Sequence, residues 1–407
     1  MIDRWGSEVA GNEASISAWG DAWEQALHFV DDPFETLAEV NVRDAEFAMG
    51  SVFCGTYRVL SGFRPDDEAL RLDFDRADSR AATNSERRHV EAFSAMLAGN
   101  FTEAGHIWDD IAQSTRDFAA VRFAHDVYLH VGAEQRRVES SRRAFESWDR
   151  AEPGWGFVAG QLSFALEETG EYDEAKALGE AALELDPVDL WARHALAHLY
   201  ESLDDSESAF ALLTNQREVW EVQDGLAVHI WWHVALRLIA TESYDEALAI
   251  HDAQLDAATT AFRICDLASL LWRLELVGVD VGDRWDTLAD RFAVRPEWHT
   301  SGFLDLHAAL IYTRCNNHDA AQRFFDGLTA SHGEGKSEND RNFLEVVQPL
   351  VLAVREGESY PARSALTLNN LAPSVHRIGG SIAQRDLIKL TRTHYEQISA
   401  TNALEAK

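Results

Sequence analysis

The sequence predicts an all-α protein of repeated helical hairpins, wound as a right-handed solenoid with a concave groove. Strand-like alternation is nearly absent, and apolar residues recur at helical spacing between short turns. The turns themselves resemble one another: LAGNFTEA, EETGEYDEA and ATESYDEA each carry an aromatic residue followed by a small one, at Ala104, Ala175 and Ala247. These alanines are 71 and 72 residues apart, two units of 35 to 36. The chain has 407 residues, 46% hydrophobic, and its 8 prolines are thinly spread, so a continuous repeat core is affordable.

The clearest unit runs from Gly156 to Asp189, with Leu162, Tyr172, Ala175, Ala182 and Pro187 at core, turn and terminator places. Small Ala175 and Ala182 let two antiparallel helices approach closely, and Pro187 cannot continue the second helix. Ala209 follows Ala175 by 34 residues, the tetratricopeptide period. Helix-turn-helix units are therefore expected over residues 1–407 as one α-solenoid domain, clearest over 85–260. The segment 331–341 (SHGEGKSENDR) and residues 62–80 read as loops or insertions.

Composition narrows the function. The formal net charge is -33, with 36 basic residues of which only Lys176, Lys336, Lys389 and Lys407 are lysine. Such a surface repels nucleic acid and anionic lipid. The acid is spread along the chain rather than gathered in a tail, which fits a halophilic-type, high-salt cytoplasm. No apolar run is long enough for a membrane span, and the start MIDRWGSEVAGNEAS lacks a secretory pattern. Cys54, Cys265 and Cys315 form no CxxC and read as buried free thiols in a reducing cytoplasm. A Walker loop and a GxSxG elbow are both missing from the sequence.

The histidines carry the functional signal. His194 and His198 in RHALAHLYE are four apart, and His229 and His233 repeat that spacing in VHIWWH. Residues four apart share a helix face, so each pair aims two imidazoles one way. The first helix of a tetratricopeptide unit lines the groove at roughly its second, fifth, ninth and twelfth positions. Counting back from Ala209 puts His194, His198 and Glu201 on that face, and counting back from Ala247 puts His229 and His233 on it or at its edge.

Several segments go further than a generic repeat. SERRHVEAFSAMLAGNF, FAHDVYLHVG, GEYDEA through RHALAHLYE, VHIWWHVALRLI, LDLHAAL and HRIGGSIAQRD resemble, in order and spacing, the tetratricopeptide repeat protein 38 family across roughly residues 40–390. The resemblance implies the fold and marks positions for attention: both HxxxH pairs, His125, Asp126, Asp305, His307 and the GGSxAQRD segment. It assigns no reaction.

Two readings of these residues follow. In the first, His194, His198, His229 and His233 hold a divalent metal (zinc, iron or manganese) or line a pocket for a small polar molecule. Glu201 adds an oxygen ligand, Asp126 or Asp305 orients a ring, Trp232 walls the pocket or packs in the core, and Arg385 anchors a carboxylate. His198, His233 and Glu201 are the candidates for proton transfer in a catalytic version. Against this stands a structural role for each histidine, and a structural ion pair for Arg385. Ser381 and Gln384 form a capping-box pattern that explains their segment without a phosphate. In the second reading the groove is a non-catalytic scaffold gripping a peptide, and self-association is open to either.

Overall fold

The computed structural model describes residues 1–221, 225–293, 299–330 and 335–405. Among them the chain is helical with short turns, and its one β-type pairing is the isolated bridge Ile2–Glu8. This is an all-α helical repeat architecture, as the turns predict. Contacts divide it into two compact units, Met1–Ile230 and Trp231–Lys407.

In the first unit, antiparallel hairpins follow one another along the chain. Asn84–Leu97 pairs with Phe101–Thr115, Phe118–His130 with Glu134–Ser147, Trp155–Glu167 with Tyr172–Leu185, and Leu190–Ser202 with Ser206–Thr214. Each hairpin also packs on the next, which makes this stretch a solenoid. The repeat alanines do what their size requires: Ala104, Ala175 and Ala182 are fully buried at the hairpin seams. The Ser163 hydroxyl donates to the Ala175 carbonyl at 2.7 Å, so the seam of the clearest unit is close and hydrogen-bonded.

One expected loop is a helix. Residues 62–80 contain Glu68–Arg80, N-capped by Asp67, whose carboxylate accepts from the Ala69 and Leu70 amides. Its apolar content is low, so periodicity hides it; Leu70 and Ala77 still bury one face.

The second unit continues the hairpin pattern with Ala261–Leu276, Arg284–Ala293, Gly302–Arg314 and His318–Ala330. Part of the expected loop 331–341, residues 331–334, lies outside the described residues. Its remainder is not all loop: Ser337 and Asp340 form a capping box that starts the helix Glu338–Asn342. That helix runs on through a wider π-type turn, Phe343–Val347, into Gln348–Glu356. The long helix Ile382–Glu405 closes the unit, and the Trp272 indole donates to its Thr391 hydroxyl at 2.8 Å. Cys54, Cys265 and Cys315 are free and buried, and burial pushes the Cys54 thiol up to about 12, away from thiolate reactivity.

Candidate functional site

The helix carrying the first histidine pair is firmly held. Asp189 caps Leu190–Ser202, its carboxylate accepting from the Ala192 amide at 2.9 Å. Arg193 reaches the carbonyls of Leu212 and Pro187 and the Gln216 amide oxygen, tying this helix to its hairpin partner. The second pair stands on Ala227–Ala240. Gly225 leads into that helix and donates to the Phe29 carbonyl at 3.0 Å. The boundary between the two compact units falls inside this helix, so His229 and His233 are one turn apart on a single continuous element.

The imidazoles converge as the register predicts. His198 Nε2 lies 3.0 Å from His194 Nε2, and His229 Nε2 lies 3.0 Å from the same atom. With His233, each of the four residues offers a ring nitrogen within 4.8 Å of the others. His194, His198 and His233 are buried and His229 is half-buried. An imidazole nitrogen carries one hydrogen or one in-plane lone pair, never both. His194 Nε2 therefore cannot form two linear hydrogen bonds, one to each neighbour. A shared cation would satisfy all the nitrogens at once. Tetrahedral ligands at zinc stand about 3.3 Å apart, a few tenths of an ångström more than the spacing here.

The carboxylates that meet this cluster differ from the expected one. Glu167 and Glu168 offer oxygens within 4.8 Å of a His198 nitrogen, and Glu167 Oε2 lies 3.9 Å from His198 Nδ1. Glu201 does not belong to either ligand group; it stands where its charge helps hold the Glu167 carboxyl protonated. Burial, and then the Glu168 charge, pushes the Glu167 carboxyl up to about 8. Ser202 donates to Glu167 Oε1 at 2.6 Å, while Oε2 is buried without a hydrogen-bond partner. The repeat register could have found Glu167, which precedes Glu201 by one 34-residue unit.

An aromatic and basic wall lies beside the histidines. Phe164 has its ring centroid 5.3 Å from His194, 5.2 Å from His198 and 5.1 Å from Trp191. The Arg137 guanidinium sits 4.7 Å from the same ring, and Arg122 lies 5.0 Å from the Trp191 ring. His125 joins this wall, 5.9 Å from Trp191, with its Nδ1 3.2 Å from the Ser141 hydroxyl. Burial, and then the Arg137 and Arg122 charges, holds His125 well below the ordinary histidine range, so it is neutral.

Asp126 does not orient a ring of the cluster. Its Oδ2 accepts from Arg122 Nε at 2.9 Å and from the Tyr57 hydroxyl at 3.1 Å, an ion pair four residues apart with an added donor. Trp232 packs in the core of the second unit, 2% exposed, with the Arg273 guanidinium 5.7 Å from its ring.

Asp305, His307 and Arg385 belong to the second unit. Asp305 does orient a histidine, but it is His299, which the sequence reading passed over: Asp305 Oδ1 accepts from the His299 amide at 2.9 Å and lies 3.2 Å from its Nδ1. His307 Nδ1 bonds the Phe303 carbonyl at 2.8 Å, and burial pulls its ring down to about 4. Arg385 donates to the Gly380 carbonyl. The Ser381 amide donates to Gln384 Oε1 at 3.0 Å and the Gln384 amide to Ser381 Oγ at 3.2 Å, the reciprocal capping box. Arg385 thus braces a helix start.

Fold and site together define a helical-repeat protein with a buried histidine cluster. The tetratricopeptide repeat family matches residues 159–189, a stretch reaching from the middle of Trp155–Glu167 to the Asp189 cap of the His194 helix. The stretch that leads into the cluster is thus similar to a tetratricopeptide repeat. No described helix is long and apolar enough to cross a membrane.

Proposed function

We propose that the histidine cluster is a divalent transition-metal centre within a closed interior pocket that receives a small polar ligand. The observation that carries this reading is the convergence on His194 Nε2, which hydrogen bonding cannot satisfy twice. Nitrogen donors favour zinc or iron over the harder, oxygen-seeking cations, manganese among them, and Glu167 or Glu168 would orient His198 from behind. The test is elemental analysis of tag-free protein after dialysis against each metal in turn. About one ion per chain is expected. The double variant His198→Ala/His233→Ala should lose it while keeping its far-ultraviolet circular dichroism. Uptake that survives in the variant, or none in the parent, overturns the proposal.

Helical repeats of this class generally act as scaffolds for other proteins, and the matched repeat supports that coarser role. The finer reading places the chain with the tetratricopeptide repeat protein 38 family, whose segment order it resembles. The spread of acid along the chain supports residence in a high-salt cytoplasm.

A further inference from the structure

Deep in the first unit, beside the histidine cluster, several buried polar atoms have no hydrogen-bond partner among the described residues. They are Arg137 Nε and Nη1, both polar atoms of the Gln161 side chain, His125 Nε2 and Trp191 Nε1. Arg137 and His125 are fully buried and Gln161 is 1% exposed. A buried primary amide with neither its donor nor its acceptor used is rare in a native interior. Arg137 pairs through Nη2 with Glu134 at 2.7 Å, and that single contact leaves three of its five N–H groups on Nε and Nη1.

These atoms share a neighbourhood. Phe164 carries Arg137 on its ring, and the same ring meets His194, His198 and Trp191. Arg122 lies over the Trp191 ring. Gln161 stands one turn before Phe164 on Trp155–Glu167. The unused valences are mostly donors, and both guanidinium charges act at His125. Arg122 is paired with Asp126 and Arg137 with Glu134, so what this interior holds in excess is unused N–H groups. Water can fill such a space, but it offers as many donors as acceptors and no countercharge. An oxyanion offers acceptors alone and matches the guanidinium.

We infer that Arg137, with Gln161 and His125, is the subsite for the carboxylate of a small acidic ligand whose remainder reaches the histidine cluster. The inference rests on the cluster being a ligand-binding centre. It also makes the site selective, because a neutral molecule of the same shape leaves the Arg137 donors unpaired.

Saturation-transfer NMR with acetate and its neutral isostere acetamide tests this on the full chain, at constant ionic strength held with potassium chloride. Acetate should bind in the millimolar range and acetamide at least tenfold more weakly. Arg137→Gln should weaken acetate at least tenfold while the bound metal stays at the parent value. Should Arg137→Gln fail to fold, Gln161→Leu, which keeps the volume and removes both polar atoms, should weaken acetate several-fold. Equal binding of acetate and acetamide, or acetate binding untouched in the folded variant, overturns the carboxylate subsite and shows a water-filled space. Loss of metal with acetate binding kept would overturn the metal reading alone.

Discussion

His28 ties the helix Glu13–His28 to the turn after Leu185, its Nε2 2.8 Å from Asp186 Oδ2 and its Nδ1 2.9 Å from the Glu24 carbonyl. The hydrogen bond to Asp186 is the main cause that raises the imidazole to about 9, against a smaller opposing effect of burial. A histidine raised in the folded state contributes stability that is fully present below its unfolded value near 6.5. That contribution is lost as pH climbs through about 9. The parent should therefore lose on the order of 1–2 kcal/mol between pH 6.5 and 9.5, after allowance for solvent screening of a half-buried pair. His28→Gln should be less stable at pH 6.5 and should lack this slope. Urea titrations of both proteins across that range decide it, and parallel pH profiles would refute the assignment.

At the scale of elements, the Asp189 cap joins the matched repeat to the helix that bears His194 and His198. Burial pushes its carboxyl up to about 6, so the capping oxygen is needed but the charge is costly. Asp189→Asn keeps an acceptor for the Ala192 amide and should leave the melting temperature within a degree or two. Asp189→Ala removes it and should cost about 1 kcal/mol, read by urea unfolding. If Asn costs as much as Ala, the charge matters and the cap account fails. The Asp189 cap was not read from the chain, but the Ser381–Gln384 capping box and the hairpins were legible, because capping, small seam residues and turn residues act locally. The histidine convergence was legible too, since 34-residue register fixes which faces meet. Other parts were not. Glu68–Arg80 is too polar for its periodicity to show, and Asp126 pairs with a Tyr57 that lies 69 residues away. Arg137 sits on the second helix of its hairpin, whereas the register directs attention to first helices. Its role depends on which nitrogens have partners, and only coordinates give that.

For the whole molecule the question is how 69 acidic residues coexist with 36 basic ones. Many arginines are already paired on the surface, as Arg142 is with Glu171 and Glu174, or Arg284 with Asp252. Salt weakens each such pair, but an exposed pair is worth only about 0–1 kcal/mol. It also screens the repulsion among the excess carboxylates, and that excess is large and spread over the chain. Repulsion should dominate, so potassium chloride should stabilise the protein. Most of the gain should come as the Debye length falls from about 10 Å at 0.1 M to about 3 Å at 1 M. Above that, screening is nearly complete, and any further rise would reflect strengthened apolar burial instead. A melting temperature that climbs mainly below 1 M salt, while sucrose in salt-free buffer fails to reproduce the climb, is the expected pattern. A melting temperature that falls over the same interval would mean that the ion pairs outweigh the net charge, and the high-salt reading would fall with it.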